Sequence, residues 1–143
     1  MHSGVAVIVA IVFLVLASWH VVMAFGNLGS ASAAVPSVAG KPLFVPSRRS
    51  TLLVALVLAG FSGLVASTAG LLDVGLSARV LSWLSYALAL GLAARAVGEF
   101  RYVGFFKRER GSRFATLDTL VYSPLCLLLA AGVALVASGN ALV

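Results

Sequence analysis

Charged residues are scarce in this chain, and acidic ones are the scarcest. Its 143 residues include four Asp and Glu against ten Lys and Arg, so 10% of the sequence is charged and 62% is hydrophobic. Soluble domains contain about 25% charged and about 45–50% apolar residues. The composition therefore excludes an ordinary soluble domain and predicts a membrane protein. Because no basic residue lies on a recognisable nucleic-acid module, the net charge of +6 favours anionic lipid headgroups over nucleic acid as the partner.

Residues that bind metals or cofactors are also scarce. Cys126 is the only cysteine, which excludes an intrachain disulfide, a Cys-x-x-Cys pair and a thiolate metal cluster. The only histidines are His2 and His20, which belong near opposite ends of one hydrophobic run, so a haem held by both is not expected. Nucleophile elbows, phosphate-binding glycine loops and dinucleotide fingerprints are missing. We predict no metal and no cofactor, and we lean towards a protein that is not an enzyme.

Four hydrophobic runs dominate the sequence, at about residues 4–25, 51–72, 78–97 and 117–137. Each is close to the roughly 20 residues that a membrane-spanning helix needs. The first run has no basic region before it and is longer than the apolar core of a secretory signal, which favours a retained span. We predict an all-α fold: a four-helix transmembrane bundle that forms a single integral membrane domain over residues 1–143.

Local signals predict where the helices begin and bend. Ser50 can cap the second helix, and the fourth is expected to begin near Thr116. Pro124 permits two interpretations of the fourth span: one kinked helix, or a separate second piece capped by Ser123. We favour one span with a kink, which would loosen the backbone hydrogen bonding around Leu120.

The basic residues indicate how the bundle lies in the membrane. Eight of the ten are in the two long loops, at Lys41, Arg48, Arg49, Arg101, Lys107, Arg108, Arg110 and Arg113. The opposite side carries only Arg79. Since cytoplasmic loops are enriched in Lys and Arg, we expect both long loops in the cytoplasm and both termini outside.

Several polar residues lie near the predicted cytoplasmic ends of the spans: His20, Arg95, Glu99, Asp118 and Tyr122. Ionisable groups inside a membrane are costly and usually face protein or water. Three interpretations stay open. Arg95 extends to the headgroups while the acids are solvated, the residues form a structural cluster, or they form a site for a ligand, a proton or a substrate.

One face of the third span carries small residues. Ala87 and Gly91 are spaced by four, with Trp83 before them and Arg95 and Glu99 after them, so all five share one helix face. Small residues let a neighbouring helix approach closely, and we therefore expect this face to be packed. Glu99, one turn beyond Arg95, is its expected ion-pair partner.

The two long loops differ in character. The first contains three prolines and a Leu43-Phe44-Val45 patch, which serves either as a simple connection or as an interfacial contact. The second interleaves aromatic rings with cations, as is typical of a segment at the headgroup level. Its predicted contacts with anionic lipid are Arg101, Lys107, Arg108, Arg110 and Arg113.

The run RAVGEFRYVGFFKRERGSRFATLDTLVYSPLCLLL, residues 95–129, resembles the signature of a bacterial family of small four-span membrane proteins catalogued as a domain of unknown function. WHVVMAFG at 19–26, Val35-Pro36 and GKPLFVP at 40–46 follow the order found in that family. An Asp often stands in the family where this chain has Glu99, which keeps the charge but shortens the side chain. The resemblance implies residence in a membrane and a shared architecture, and it carries over no activity, cofactor or catalytic residue. We expect that membrane to be the bacterial cytoplasmic membrane.

These features favour a non-enzymatic integral membrane protein. Its expected role is to bind a small lipophilic or anionic ligand at the polar layer, or to support a membrane-protein partner or a second copy of itself. Two alternatives stay open: a small membrane enzyme that acts on a quinone-type or isoprenoid-type substrate, and a transporter or channel subunit.

Overall fold

Long helices account for most of the protein. The structure, a computed structural model, describes residues 2–26 and 34–140, so that part of the first long loop lies outside the description. Helix α1 spans His2–Phe25, α2 spans Arg48–Thr68 and α3 spans Ala78–Val97. Together with a fourth helix, they are long and apolar enough to cross a membrane. The predicted all-α architecture with four hydrophobic helices is confirmed.

The fourth helix, α4, runs without a break past Pro124. It begins as α-helix at Arg113–Leu117, forms a π-helical turn at Asp118–Tyr122 and continues as α-helix at Ser123–Asn140. In the π turn the Ser123 N–H donates to the carbonyl of Asp118, five residues earlier. Proline has no N–H with which to continue the hydrogen bonds between residues four apart. The wider π-helical turn lets the helix continue past it. The continuous span is therefore confirmed, and its kink stays a prediction.

Two predicted helix starts were wrong by three residues. Ser47 rather than Ser50 caps α2, because its Oγ accepts a hydrogen bond from the Ser50 N–H at 3.1 Å. Ser112 caps α4 in the same way through the Ala115 N–H, also at 3.1 Å, so the helix begins before Thr116. In each case the helix extends as far back as a serine that the chain still holds in an extended conformation.

A short β-ladder lies in the first long loop. Strands β1, Ser37–Val38, and β2, Lys41–Pro42, pair antiparallel. The Leu43-Phe44-Val45 patch that follows is exposed, with Val45 83% accessible. Both interpretations of this patch, connection and interfacial contact, stay open.

The helices pack as two close pairs. The most extensive contacts join α1 to α2 and α3 to α4, and α1 also contacts α4. Phe13 and Val133 are fully buried between them. Gly132 permits the approach of α1 to α4, since a Cβ there would lie 2.7 Å from Cγ2 of Val9. By contrast, α2 and α3 touch only sparsely.

Buried hydroxyl groups connect the helices inside the bundle. Ser62 of α2 donates to the Ala10 carbonyl of α1 at 2.9 Å. Thr68 of α2 and Ser85 of α3 share a hydrogen bond of 2.8 Å. In an apolar surrounding such groups stabilise helix association because water does not compete for them.

The outer surfaces of the helices are strongly apolar. Large side chains stand outward on every helix, for example Ile8 (65% exposed), Leu56 (69%), Leu90 (72%) and Leu128 (72%). Exposed faces of this kind are costly in water and suit lipid.

The prediction that the small-residue face of α3 is packed was wrong. Ala87 and Gly91 are exposed, and Trp83 is 71% exposed. The packed face instead contains Ser85 and Ala89. Because α3 is apolar on all sides, its sequence does not show which side its neighbours occupy.

Candidate functional site

Asp118 is the centre of a buried polar cluster at one end of the bundle. Its side chain is inaccessible to solvent and accepts three hydrogen bonds. Oδ1 accepts from Arg95 Nη2 at 2.8 Å, while Oδ2 accepts from Lys107 Nζ at 2.9 Å and from the Gly104 N–H at 2.7 Å. We call these groups, with Thr119, the Asp118 cluster.

Lys107 is buried in this cluster and does not contact lipid headgroups as predicted. Its side chain is 1% exposed. Nζ donates to the Gly104 carbonyl at 2.8 Å, to Asp118 at 2.9 Å and to Thr119 Oγ1 at 2.7 Å. An ammonium group has three donors, so all of its hydrogen-bonding capacity is used inside the protein. Lys107 is buried and not exposed because the Asp118 carboxylate beside it compensates the burial of its charge.

The loop between α3 and α4 folds tightly over the end of α3. Gly98 and Gly104 have φ angles of 88° and 90°, in the left-handed region that favours glycine. A Cβ on Gly104 would lie 2.4 Å from the Cα of Gly98, so the two backbones touch. The Phe105 N–H then donates to the Ala96 carbonyl at 2.9 Å. This close crossing brings the Gly104 N–H and Lys107 to Asp118.

Arg95 is the accessible member of the cluster. Its side chain is 36% exposed, whereas that of Asp118 is fully buried. Nη2 pairs with Asp118, but Nη1 is shielded from solvent and has no hydrogen-bond acceptor among the described residues. A buried donor without a partner costs about 1–3 kcal/mol. An acceptor that reached Nη1 would remove this cost.

Glu99 does not form the ion pair that we predicted. Its Oε1 accepts from the Tyr102 N–H at 2.7 Å, and Arg95 pairs with Asp118 instead. The spacing of four requires both residues to be helical. Because α3 ends at Val97, Glu99 has already left the helix.

Two other predicted site residues form local contacts. His20 Nδ1 lies 2.8 Å from the Leu16 carbonyl of its own helix. The ring of Tyr122 packs against that of Phe114, with centroids 6.0 Å apart. Among the five candidates, Arg95 and Asp118 are in direct contact with each other.

The remaining loop cations stand on the surface: Arg101, Arg108, Arg110 and Arg113. Phe100 and Phe106 lie among them, 56% and 63% exposed, with ring centroids 6.4 Å apart. Exposed rings between cations suit the headgroup region of a bilayer. Their contact with anionic lipid stays a prediction.

The hydrogen bonds of the cluster limit its chemistry. Asp118 and Lys107 bond to each other and to the backbone of Gly104, and both side chains are closed to solvent, so a molecule at the surface does not touch either of them. In the part of the chain that the structure describes, no three His, Cys, Asp or Glu side chains are grouped as metal ligands. Two cations against one carboxylate leave a formal charge of +1, which Arg95 presents at the surface. The arrangement can hold the loop in place and attract an anion.

Lys107 and Gly104 were not predicted from the sequence as members of the cluster. Lys107 lies in a row of cations that local pattern cannot tell apart. Gly98 and Gly104 were the available signal, since glycines that bracket a short loop often allow a tight turn.

Comparison with known proteins agrees with the resemblance carried by residues 95–129. Neither a curated protein nor a solved structure matches the chain significantly. Residues 13–133 match the family described as "protein of unknown function (DUF3995)". This range contains the complete Asp118 cluster and at least part of each helix. The chain therefore belongs to the DUF3995 family of proteins of unknown function.

Proposed function

We propose that this protein is a non-enzymatic, multi-pass protein of the bacterial cytoplasmic membrane that binds a small anionic ligand at the Asp118 cluster. The observation that carries the proposal is the state of Arg95. One amino group of its guanidinium is paired with Asp118, and the other lacks an acceptor among the described residues.

The charge of the cluster supports an anion rather than a cation as the ligand. Lys107 alone balances the charge of Asp118, so the positive charge of Arg95 is in excess. A planar guanidinium suits phosphate and carboxylate groups, which accept two parallel hydrogen bonds. Binding at Arg95 would leave the Lys107–Asp118 pair, and with it the fold of the loop, undisturbed.

The proposed orientation places this cluster at the cytoplasmic side. Both long loops, with eight of the ten Lys and Arg residues, would face the cytoplasm, and both termini would lie outside. The surface arginines of the second loop would then meet the anionic cytoplasmic leaflet and hold the cluster at headgroup depth.

The alternatives have less support. An enzyme that used acid–base chemistry would need its acid or base within hydrogen-bond reach of the substrate, and Asp118 and Lys107 are both closed to solvent. A transporter of ions would need charged groups along its path, whereas the buried charges among the described residues, Lys107 and Asp118, lie at one end of the bundle and the other buried polar groups are hydroxyls. Support of a membrane-protein partner remains compatible with ligand binding.

Thermal unfolding in an uncharged detergent tests the proposal. Phosphatidylglycerol should raise the unfolding temperature by several degrees, and phosphatidylcholine with the same acyl chains should not, because ligand that binds only the folded state stabilises it. Arg95→Gln should abolish the difference between the two lipids. Arg79→Gln, which removes an exposed arginine at the opposite end of α3 from Arg95, is the matched control and should respond as the wild type does. An unchanged response of Arg95→Gln would refute the proposal.

A further inference from the structure

An apolar groove runs along the bundle where α2 and α3 touch sparsely. It has a volume of about 630 Å³, within the range of about 300–1,000 Å³ typical of ligand sites. Its lining includes Phe61 and Leu64 of α2 and Leu84, Ala87, Leu88 and Gly91 of α3. The two helices are joined by the Thr68–Ser85 hydrogen bond. Most of the α3 residues that line the groove follow Ser85 in the chain.

Packing within the chain does not explain Gly91. A Cβ at this position would meet no atom within 4 Å, so no neighbouring helix requires a glycine there. Glycine in a helix costs about 1 kcal/mol relative to alanine. The small side chains of Gly91 and Ala87 keep the groove deep, which favours an occupant from outside the chain.

Arg95 lies one helical turn beyond Gly91, the last glycine of the groove lining. Leu84, Leu88, Gly91 and Arg95 are spaced by four, three and four residues and therefore share one face of α3. Eleven residues of helix rise about 16 Å from Leu84 to Arg95. That length matches one leaflet of the hydrocarbon core, about 15 Å. A headgroup at Arg95 would thus place its acyl chain along the groove.

Charge distinguishes a lipid from a second copy of this chain as the occupant. A symmetric contact through this face would bring two Arg95 side chains towards one interface, and each belongs to a cluster with a formal charge of +1. Like charges at a dry interface are costly. An anionic phosphate group instead complements Arg95, and an acyl chain complements the groove.

From these relationships we infer that the groove between α2 and α3, together with Arg95, is a binding site for one anionic glycerophospholipid. The phosphate pairs with the Arg95 guanidinium, and one acyl chain lies along Gly91, Leu88 and Leu84. This inference rests on the proposed function and names its ligand as a lipid that is held by both its charge and its chain.

Native mass spectrometry with phosphatidylglycerol tests the site. A Cβ at Gly91 meets no atom within 4 Å, so Gly91→Leu can place its side chain in the groove, and it should weaken binding of the first lipid about tenfold, as expected for loss of about 30–60 Å² of apolar burial. Gly60→Leu is the matched control, because Gly60 is also an exposed helical glycine with no atom near an added Cβ and does not line the groove. It should bind as the wild type does. Ala87→Leu adds bulk to the same groove and serves if Gly91→Leu does not fold.

The outcomes separate this inference from the proposed function. If Gly91→Leu and Ala87→Leu bind phosphatidylglycerol as the wild type does but Arg95→Gln does not, the anionic ligand stands and the groove is overturned. Equal binding of sn-glycerol 3-phosphate, which has the headgroup phosphate without acyl chains, would overturn the groove in the same way. If Arg95→Gln also retains the preference for phosphatidylglycerol over phosphatidylcholine, both fail. A wild-type dimer that Gly91→Leu dissociates would identify a second copy as the occupant and overturn the lipid site.

Discussion

Lys107 and Asp118 stand eleven residues apart and meet at 2.9 Å with both side chains closed to solvent. This pair joins the loop after α3 to the first π-helical residue of α4. The pair holds the cation-rich loop between α3 and α4 against the end of the bundle. Arg95 shares the same carboxylate from the third helix, so one aspartate holds three parts of the chain together.

Replacement of Lys107 should destabilise the protein strongly. Lys107→Met leaves the Thr119 hydroxyl and one oxygen of Asp118 without their ammonium donor, and loss of one partner of a buried ion pair costs about 3–5 kcal/mol. Reversible denaturation in mixed micelles measures the free energy of unfolding. Arg108→Met, the control at an exposed neighbour, should change it by less than about 0.5 kcal/mol. Similar stability of the two variants would show that the buried pair does not hold the loop.

Gly104 should not tolerate alanine. A Cβ there would meet the Cα of Gly98 and the Val97 carbonyl at 2.4 Å, and the φ of 90° adds strain, so we expect a loss of about 1–3 kcal/mol or more. Amide hydrogen exchange at Phe105, whose N–H is bonded to Ala96, reports opening of the loop and should become faster. Gly111→Ala, in the same loop with open space around it, should leave that exchange rate unchanged. Unaltered exchange in Gly104→Ala would argue against the tight crossing.

Replacement by alanine should have opposite effects on stability at two helical glycines, because only one of them lies where two helices pack closely. Gly132→Ala places a methyl group 2.7 Å from Val9 Cγ2 and should cost about 1–3 kcal/mol through overpacking. Gly63→Ala meets no neighbouring atom and should stabilise α2 by up to about 1 kcal/mol through helix propensity. Thermal unfolding of the two variants under identical conditions gives the comparison. A more stable Gly132→Ala would mean that the two helices are farther apart.

The proposed orientation predicts which cysteines an impermeant reagent can reach. In a Cys126→Ala background, Val74→Cys in the exposed turn between α2 and α3 should react in intact cells. Gly111→Cys in the loop before α4 should react only after the membrane is opened, because the Lys and Arg distribution places that loop inside. Labelling with the reverse pattern would invert the topology and move the Asp118 cluster to the outer side.

The sequence predicted the helices well because a spanning helix is specified locally. About twenty consecutive apolar residues are sufficient, and each helix satisfies its own backbone hydrogen bonds. The starts of α2 and α4 were less predictable. Ser47 and Ser50 are equally suitable caps by residue type, and the choice depends on where the preceding chain remains extended.

The site was predictable only in part. Asp118 and Arg95 were recognised because a charge near the end of an apolar span is rare enough to be noticed without a structure. Their mutual contact was missed, because the expected partner of Arg95 was the nearby Glu99. Lys107 was predicted to contact lipid, because nothing in the local sequence separates it from the neighbouring cations. Its burial depends on Asp118, which only the tertiary fold places beside it.

By itself, the sequence determined four hydrophobic helices, the excess of cations in two loops and the position of a few charges near helix ends. These properties follow from composition and from periodicity over a few residues. The tertiary structure alone decided that Lys107 and Arg95 share Asp118, and that Ala87 and Gly91 face a groove instead of a neighbouring helix. The reason is that α3 is apolar around its whole circumference, so its neighbours are selected by the packing of all four helices and by the two glycines that fold the loop back over its end.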